Sequence, residues 1–218
     1  MATLGVGYCF HRFHDFRPNS VHDFGHFLGT KRSTAVAILR PVNLRWIQGA
    51  ADDPKDLCAH GDVEFSIGDD ILLGPATGKD LTVSAAALYL LRTLSVPHTK
   101  DAPVGDHLFP CCGFNMYDVE KQQDVVVCGC PSGEDFEVLH DVSGAGILVR
   151  AADGREWRVG WPEWKVAVIS FADKVSEFYA ACSPKEPYEA EDAKGFRKFT
   201  AEWERRRGQE LAVTIVPN

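Results

Sequence analysis

One segment constrains the fold more than any other: residues 82–94, TVSAAALYLLRTL, predict a helix whose apolar side chains fall on almost every side. A helix of this kind has no face suited to water, so we expect it to be buried at the centre of the molecule. Pro97 follows and favours an end to the helix, because the residue before a proline avoids helical backbone angles. The remaining elements are therefore expected to surround this segment.

Short apolar runs on both sides of that helix predict strands joined by tight turns. Residues 43–48 alternate between apolar and polar, and residues 63–73 predict a hairpin around a Gly-Asp turn. Further strands are predicted at residues 124–130 and 136–140, followed by a hairpin at residues 146–160 with an Asp-Gly turn. Consecutive strands with tight turns form an antiparallel meander, which helices can cover on one face.

Two helices are predicted near the C-terminus. The first begins at Pro162, a residue favoured in a first helical turn, and continues to about residue 182. The second covers residues 189–207 and carries one apolar stripe of Phe196, Phe199 and Trp203. Residues 211–216 are expected to add an edge strand. Together these elements predict the α+β class: an antiparallel β meander covered by helices, with a C-terminal helical pair.

The distribution of charge divides the chain. The 218 residues carry a net charge of −8, but residues 1–41 contain five Lys or Arg against two Asp, so they carry +3 and the remainder carries −11. We therefore predict an N-terminal extension at residues 1–41 and a single α+β domain at residues 42–218. An alternative is that this basic, phenylalanine-rich extension is a functional arm that docks on another chain.

Composition also bounds the compartment and the class of partner. No run approaches the ~20 apolar residues of a membrane-spanning helix, and the N-terminus lacks a secretion pattern. The seven cysteines are an odd number without the spacing of a secreted disulfide scaffold, which favours reduced thiols in a cytoplasm. The acidic balance argues against nucleic-acid binding, which uses clustered positive charge.

One group of residues could support metal or thiol chemistry. It consists of His107, Cys111, Cys112, Cys128 and Cys130. If the two segments pair as strands, His107, Cys112, Cys128 and Cys130 could converge on zinc, although their spacing differs from the usual one. Cys111 or Cys112 could instead be a nucleophile activated by His107. The alternative is that these cysteines are small buried apolar residues and that no cofactor is bound.

A second group of residues suggests contact with a partner. Glu134 and Asp135 form an acidic turn, and Trp157, Trp161 and Trp164 cluster where a predicted strand meets a helix. Tryptophan is enriched at the energetic centres of interfaces. The alternatives are a solvated turn for the carboxylates and core packing for the aromatic rings.

Three segments carry a resemblance to known sequences: SAAALYLLRTL at residues 84–94, PCCG at 110–113 and GCPSGEDFEVLH at 129–140. They resemble a group of uncharacterised bacterial proteins of similar size, over about residues 43–207. The resemblance implies no catalytic residue. In style the chain is similar to the small acidic α+β proteins found among toxin-immunity proteins.

Two functions follow as hypotheses. The first is an acidic cytoplasmic protein-binding module, such as an immunity protein that neutralises a basic toxin by charge complementarity, without contact with nucleic acid or membrane. The second is a metal- or thiol-dependent enzyme that uses the His107 and cysteine group, with zinc as the expected metal.

Overall fold

The structure, a computed structural model, describes residues 35–46, 52–111, 114–129 and 132–213. Its strands are β1 (Ala37–Trp46), β2 (Ala59–Ile67), β3 (Asp70–Leu73), β4 (Phe109–Pro110), β5 (Phe114–Tyr117), β6 (Val126–Gly129), β7 (Gly133–Glu134), β8 (Phe136–His140), β9 (Gly146–Ala151) and β10 (Glu156–Gly160). Its helices are α1 (Val83–Thr93), α2 (Trp161–Ala180) and α3 (Ala190–Val213).

Two antiparallel sheets confirm the predicted class. Strands β1, β2 and β3 form one sheet in that order, and β8, β9 and β10 form another. The tight turns lie where the sequence predicts them, with Gly68 and Gly154 at positive φ angles that disfavour other residues. The fold of the described residues is therefore α+β, with antiparallel meanders and three helices, two of them at the C-terminal end.

Helix α1 lies at the centre of the described core, as its apolar composition predicts. Each of its residues except Arg92 is buried. It packs against β2 and β4 and against both of the other helices, while α2 packs across β1 and the β9–β10 hairpin. Among the described residues, no helix combines the length and the apolar character needed to cross a membrane.

Two short strand pairs also form, and of their four strands only β6 lies within a predicted strand, at residues 124–130. Strand β4 pairs with β7 and β5 pairs with β6, and the backbone N–H of Cys111 donates to the carbonyl of Ser132 at 3.0 Å beside the first pair. Helix α3 packs closely on β5 at Gly195, where an added Cβ would lie 2.0 Å from the Met116 carbonyl oxygen. A glycine at this position therefore lets the helix approach the strand.

Two predicted elements differ from the structure at their ends. The strand predicted at residues 43–48 begins at Ala37, so residues 37–41 of the predicted extension form the first half of β1. The sequence shows no alternation of apolar and polar residues there, because Ile38, which faces solvent, is as apolar as its buried neighbours Ala37 and Leu39. The edge strand predicted at residues 211–216 is also wrong in its first half, because α3 continues to Val213. Residues 1–34 and 214–218 lie outside the described residues.

Candidate functional site

The structure describes three of the five residues in the histidine and cysteine group: His107, Cys111 and Cys128. Cys111 and Cys128 are both partly buried, and the Nδ1 atom of His107 is buried without a hydrogen-bond partner. Cys112 and Cys130 lie outside the described residues. Within the described part of the chain, no three His, Cys, Asp or Glu side chains are grouped to hold a metal ion. The zinc and thiol hypotheses stay predictions.

His98 and Asp135 form an internal pair close to this region. The backbone N–H of Val104 donates to His98 Nδ1 at 3.1 Å, so the ring proton lies on Nε2, which donates to Asp135 Oδ1 at 2.9 Å. The Leu108 N–H also donates to that oxygen, at 2.9 Å. Burial raises the pKa of Asp135, but the bonds from His98 and Leu108 outweigh it and hold the pKa below its ordinary value. Both nitrogens of His98 are engaged, so this pair fastens a loop and leaves no basic nitrogen free.

The predicted contact residues do not form one surface. Trp164 lies in the core with 0% of its surface exposed, and its Nε1–H donates to Thr93 Oγ1 at 3.2 Å. A partner that docks on the folded protein cannot reach Trp164, so this residue is removed from the predicted set. Asp135 is engaged with His98, and Glu134 is half-buried on β7.

The other two tryptophans are partly exposed but point to different neighbours. Trp157 on β10 donates from Nε1 to Asp70 Oδ2 at 2.7 Å, which ties this hairpin to the β2–β3 turn. Trp161 at the start of α2 meets the edge of the His140 ring, with centroids 5.3 Å apart. Neither contact brings the two indoles together.

Another group of carboxylates lies elsewhere among the described residues. Residues 52–56 and 183–192, here named the acidic surface, contain seven Asp or Glu and two Lys. Hydrogen bonds from backbone N–H groups join these two segments, which are distant in sequence. The Glu186 N–H donates to the Pro54 carbonyl at 2.8 Å, and the Ser183 N–H donates to Asp52 Oδ2 at 2.6 Å. The hydrogen bonds from Ser183 lower the pKa of Asp52, which keeps it charged at neutral pH.

Tyr188 lies on the acidic surface and is 78% exposed. The Lys55 ammonium is 5.3 Å from the centre of its ring and 3.5 Å from a carboxylate oxygen of Glu186. Tyrosine offers a large contact area together with a polar hydroxyl, and both suit it to interfaces. Tyr188 could have been found from the sequence, because it is a tyrosine in the acidic run EPYEAED and lies between two predicted helices.

Beside the acidic surface, α2, α3 and the loop between them line an open cavity of about 340 Å³. The helices run antiparallel, and ion pairs join them beyond the cavity: Asp173 to Arg207 at 2.5 Å and Lys165 to Glu210 at 3.1 Å. The loop between the helices borders the other end through Lys185. The walls are mostly apolar, and they include a row of four aromatic residues: Tyr179, Phe196, Phe199 and Trp203.

Trp203 is the unusual member of this row. It is 8% exposed, yet its Nε1–H has no hydrogen-bond acceptor. Most buried polar groups in folded proteins have a partner, so an unpaired donor beside a cavity calls for an explanation.

The site thus has two parts, a charged surface with an exposed tyrosine and an aromatic cavity next to it. The helical stripe of Phe196, Phe199 and Trp203 was predictable, but the cavity depends on the distance between the helices. Comparison of the chain with protein-family models, with curated proteins and with solved structures finds no match.

Proposed function

We propose that this protein is a protein-binding module whose acidic surface docks a basic protein, as an immunity protein docks a toxin. The observation that carries the proposal is Tyr188, a large aromatic side chain that is 78% exposed and lies beside Lys55, on a surface whose two segments contain seven carboxylates. Exposed aromatic residues cost free energy in water and give it back when a partner covers them. The surrounding negative charge selects a partner with Lys or Arg around an apolar contact.

The physical roles of the two components differ. Negative charge steers a basic partner and raises the association rate, an effect that salt screens. Tyr188 supplies contact area at the centre, where a hot-spot residue contributes about 2 kcal/mol or more. Lys55 and Glu186, which flank the ring, limit its orientation before a partner arrives.

The test uses the full chain and the purified product of the adjacent gene. We expect a stable complex whose association rate falls as salt rises, measured by surface plasmon resonance. The Tyr188→Ala variant is expected to weaken binding by about 30-fold, the equivalent of 2 kcal/mol. Tyr117→Ala is the matched control, because Tyr117 is also exposed but lies on β5, outside the acidic surface.

Two results would contradict the proposal. One is no binding by the adjacent product, together with no protection of cells from its toxicity. The other is equal loss of affinity in the Tyr188 and Tyr117 variants, which would place the interface away from the acidic surface.

A further inference from the structure

We infer that the outer face of the β1–β2–β3 sheet is a dimer interface, which binds a second copy of this chain about a two-fold axis. The inference does not depend on the proposed partner, because none of its residues belongs to the acidic surface. It rests on three properties of this face: exposed apolar side chains, a groove whose shape matches them, and opposite charges at the two ends of that groove.

The outer face carries three large apolar side chains that are exposed to water. Val36, just before β1, is 62% exposed, Ile38 on β1 is 41% exposed and Ile71 on β3 is 71% exposed. On the inner face of the same sheet, Leu39 and Phe65 are buried in the core. Apolar residues scattered singly over a surface are ordinary, but a group of them on one face is typical of a contact surface.

The register of the strands places a ridge beside a groove. Ser66 on β2 pairs with Ile38 on one side and with Ile71 on the other. Neighbouring strands lie about 4.8 Å apart, so the two isoleucines flank a smaller serine at a separation of about 10 Å. These three residues line an open cavity of about 230 Å³, which has room for one aliphatic side chain.

The shape of this face is complementary to itself. With a two-fold axis between Ile38 and Ser66, Ile38 of one copy lies over Ser66 of the second copy. It is flanked there by Ile38 and Ile71 of the second copy, and the reverse contacts form at the same time. A two-fold dimer requires a patch that is complementary to itself in this way, which favours a second copy over an unrelated protein.

The charges at the ends of the groove have the same two-fold complementarity. Arg40 lies two residues beyond Ile38 at one end, and the exposed Asp69 lies in the β2–β3 turn at the other end. Arg40 forms an ion pair with Glu64 of its own chain at 2.8 Å, but its side chain is 65% exposed and a guanidinium has further N–H donors. Half a turn about the axis exchanges the two ends, so Arg40 of each copy meets Asp69 of the other.

Sedimentation-velocity ultracentrifugation of the full chain tests the dimer. A patch of three aliphatic side chains is small for an interface, so we expect a dissociation constant of about 1–100 μM. Ile71→Lys places a charge in the apolar contact and is expected to weaken dimerisation by about tenfold or more. Val142→Lys is the matched control, because Val142 is also exposed but lies in the turn between β8 and β9.

A charge exchange tests whether the contact is made between copies. Arg40→Glu and Asp69→Lys each place like charges at both ends of a homodimer interface, so each variant alone is expected to dimerise about tenfold more weakly. In a mixture of the two variants, opposite charges meet at both ends, and dimerisation is expected to return. A contact within one chain cannot produce that recovery. Circular dichroism establishes that each variant is folded before dimerisation is compared.

Two pairs of results would contradict the inference. A wild-type protein that stays monomeric up to about 200 μM, or equal dimerisation of the Ile71 and Val142 variants, would overturn the interface. Undiminished dimerisation of the Arg40 and Asp69 variants, or no recovery when they are mixed, would overturn the two-fold arrangement. Because none of these measurements involves a basic partner, their failure leaves the test of Tyr188 untouched.

Discussion

The acidic surface and the surroundings of Glu202 both contain several charged residues, but the two regions differ in burial and in the partners of their carboxylates. Glu202 has 0% of its side chain exposed and accepts hydrogen bonds from Arg92 and Arg206 at 2.7–2.8 Å and from the Val125 N–H at 2.8 Å. On the acidic surface, Glu186 and Glu191 are 69% and 76% exposed, each near one lysine.

The difference separates structural charge from charge that is free to bind. Glu202 lies on α3, Arg92 on α1 and Val125 just before β6, so one carboxylate joins three parts of the core. On the acidic surface, Asp52 accepts a hydrogen bond from the Ser183 N–H and lies near Lys185. Glu186, Glu189 and Glu191 are exposed to water. Charge density in the sequence does not distinguish the two; burial and the number of partners do.

The largest expected effect is at Glu202. Glu202→Gln keeps the shape but leaves Arg92 and Arg206 without their buried counter-charge, so we expect a loss of about 3–5 kcal/mol in the free energy of unfolding. Urea denaturation measures this loss. Glu204→Gln, two residues away and exposed, is the control and is expected to change stability by less than about 0.5 kcal/mol. Similar values for both variants would remove the contrast between the two regions.

The next effect is expected at Asp135. Asp135→Asn removes the carboxylate charge that accepts the hydrogen bonds from His98 and Leu108, at an expected cost of about 1–3 kcal/mol. Because the folded pKa of Asp135 is lowered, its stabilisation is present above its unfolded pKa, near 4, and is lost as pH falls through the folded value. Unfolding free energies measured from pH 7 to pH 3 should therefore converge for wild type and variant at low pH. A constant difference would argue against an ionised Asp135 in the folded protein.

His60 extends the comparison to a buried ionisable side chain that has no hydrogen bond from its ring. It is 2% exposed, and neither ring nitrogen has a hydrogen-bond partner. Burial lowers its pKa, against smaller opposing effects of Asp56 and Asp80. We expect stability to fall as pH drops from about 6.5 through the lowered folded value, by at most about 1.4 kcal/mol per pH unit. His60→Leu should flatten this part of the profile, whereas an unchanged slope would assign it to other groups.

The smallest effect on stability is expected on the acidic surface. The double variant Glu186→Gln and Glu189→Gln should change the free energy of unfolding by less than about 0.5 kcal/mol, because exposed pairs contribute little. The same variant should slow association with a basic partner at low salt and much less at high salt. A large loss of stability would show that these carboxylates hold the fold together.

The sequence alone determined the class of fold and most of its elements. The all-apolar segment at residues 82–94 specified a central helix, and period-two patterns with Gly turns specified the β2–β3 hairpin and the β8–β10 meander. These signals are local, because side-chain periodicity and turn geometry depend on neighbouring residues. β1 was predicted too short because its solvent face carries Ile38, which removes the contrast between its two sides.

What only the tertiary structure decided is which residues meet and which face water. Trp164 and Tyr188 are both aromatic residues in C-terminal segments, yet one is fully buried and the other largely exposed. The acidic surface joins Asp52 and Ser183, which are 131 residues apart, and the α2–α3 cavity depends on the distance between the two helices. Such pairings arise from packing between elements distant in the chain, for which a single sequence carries no local signal.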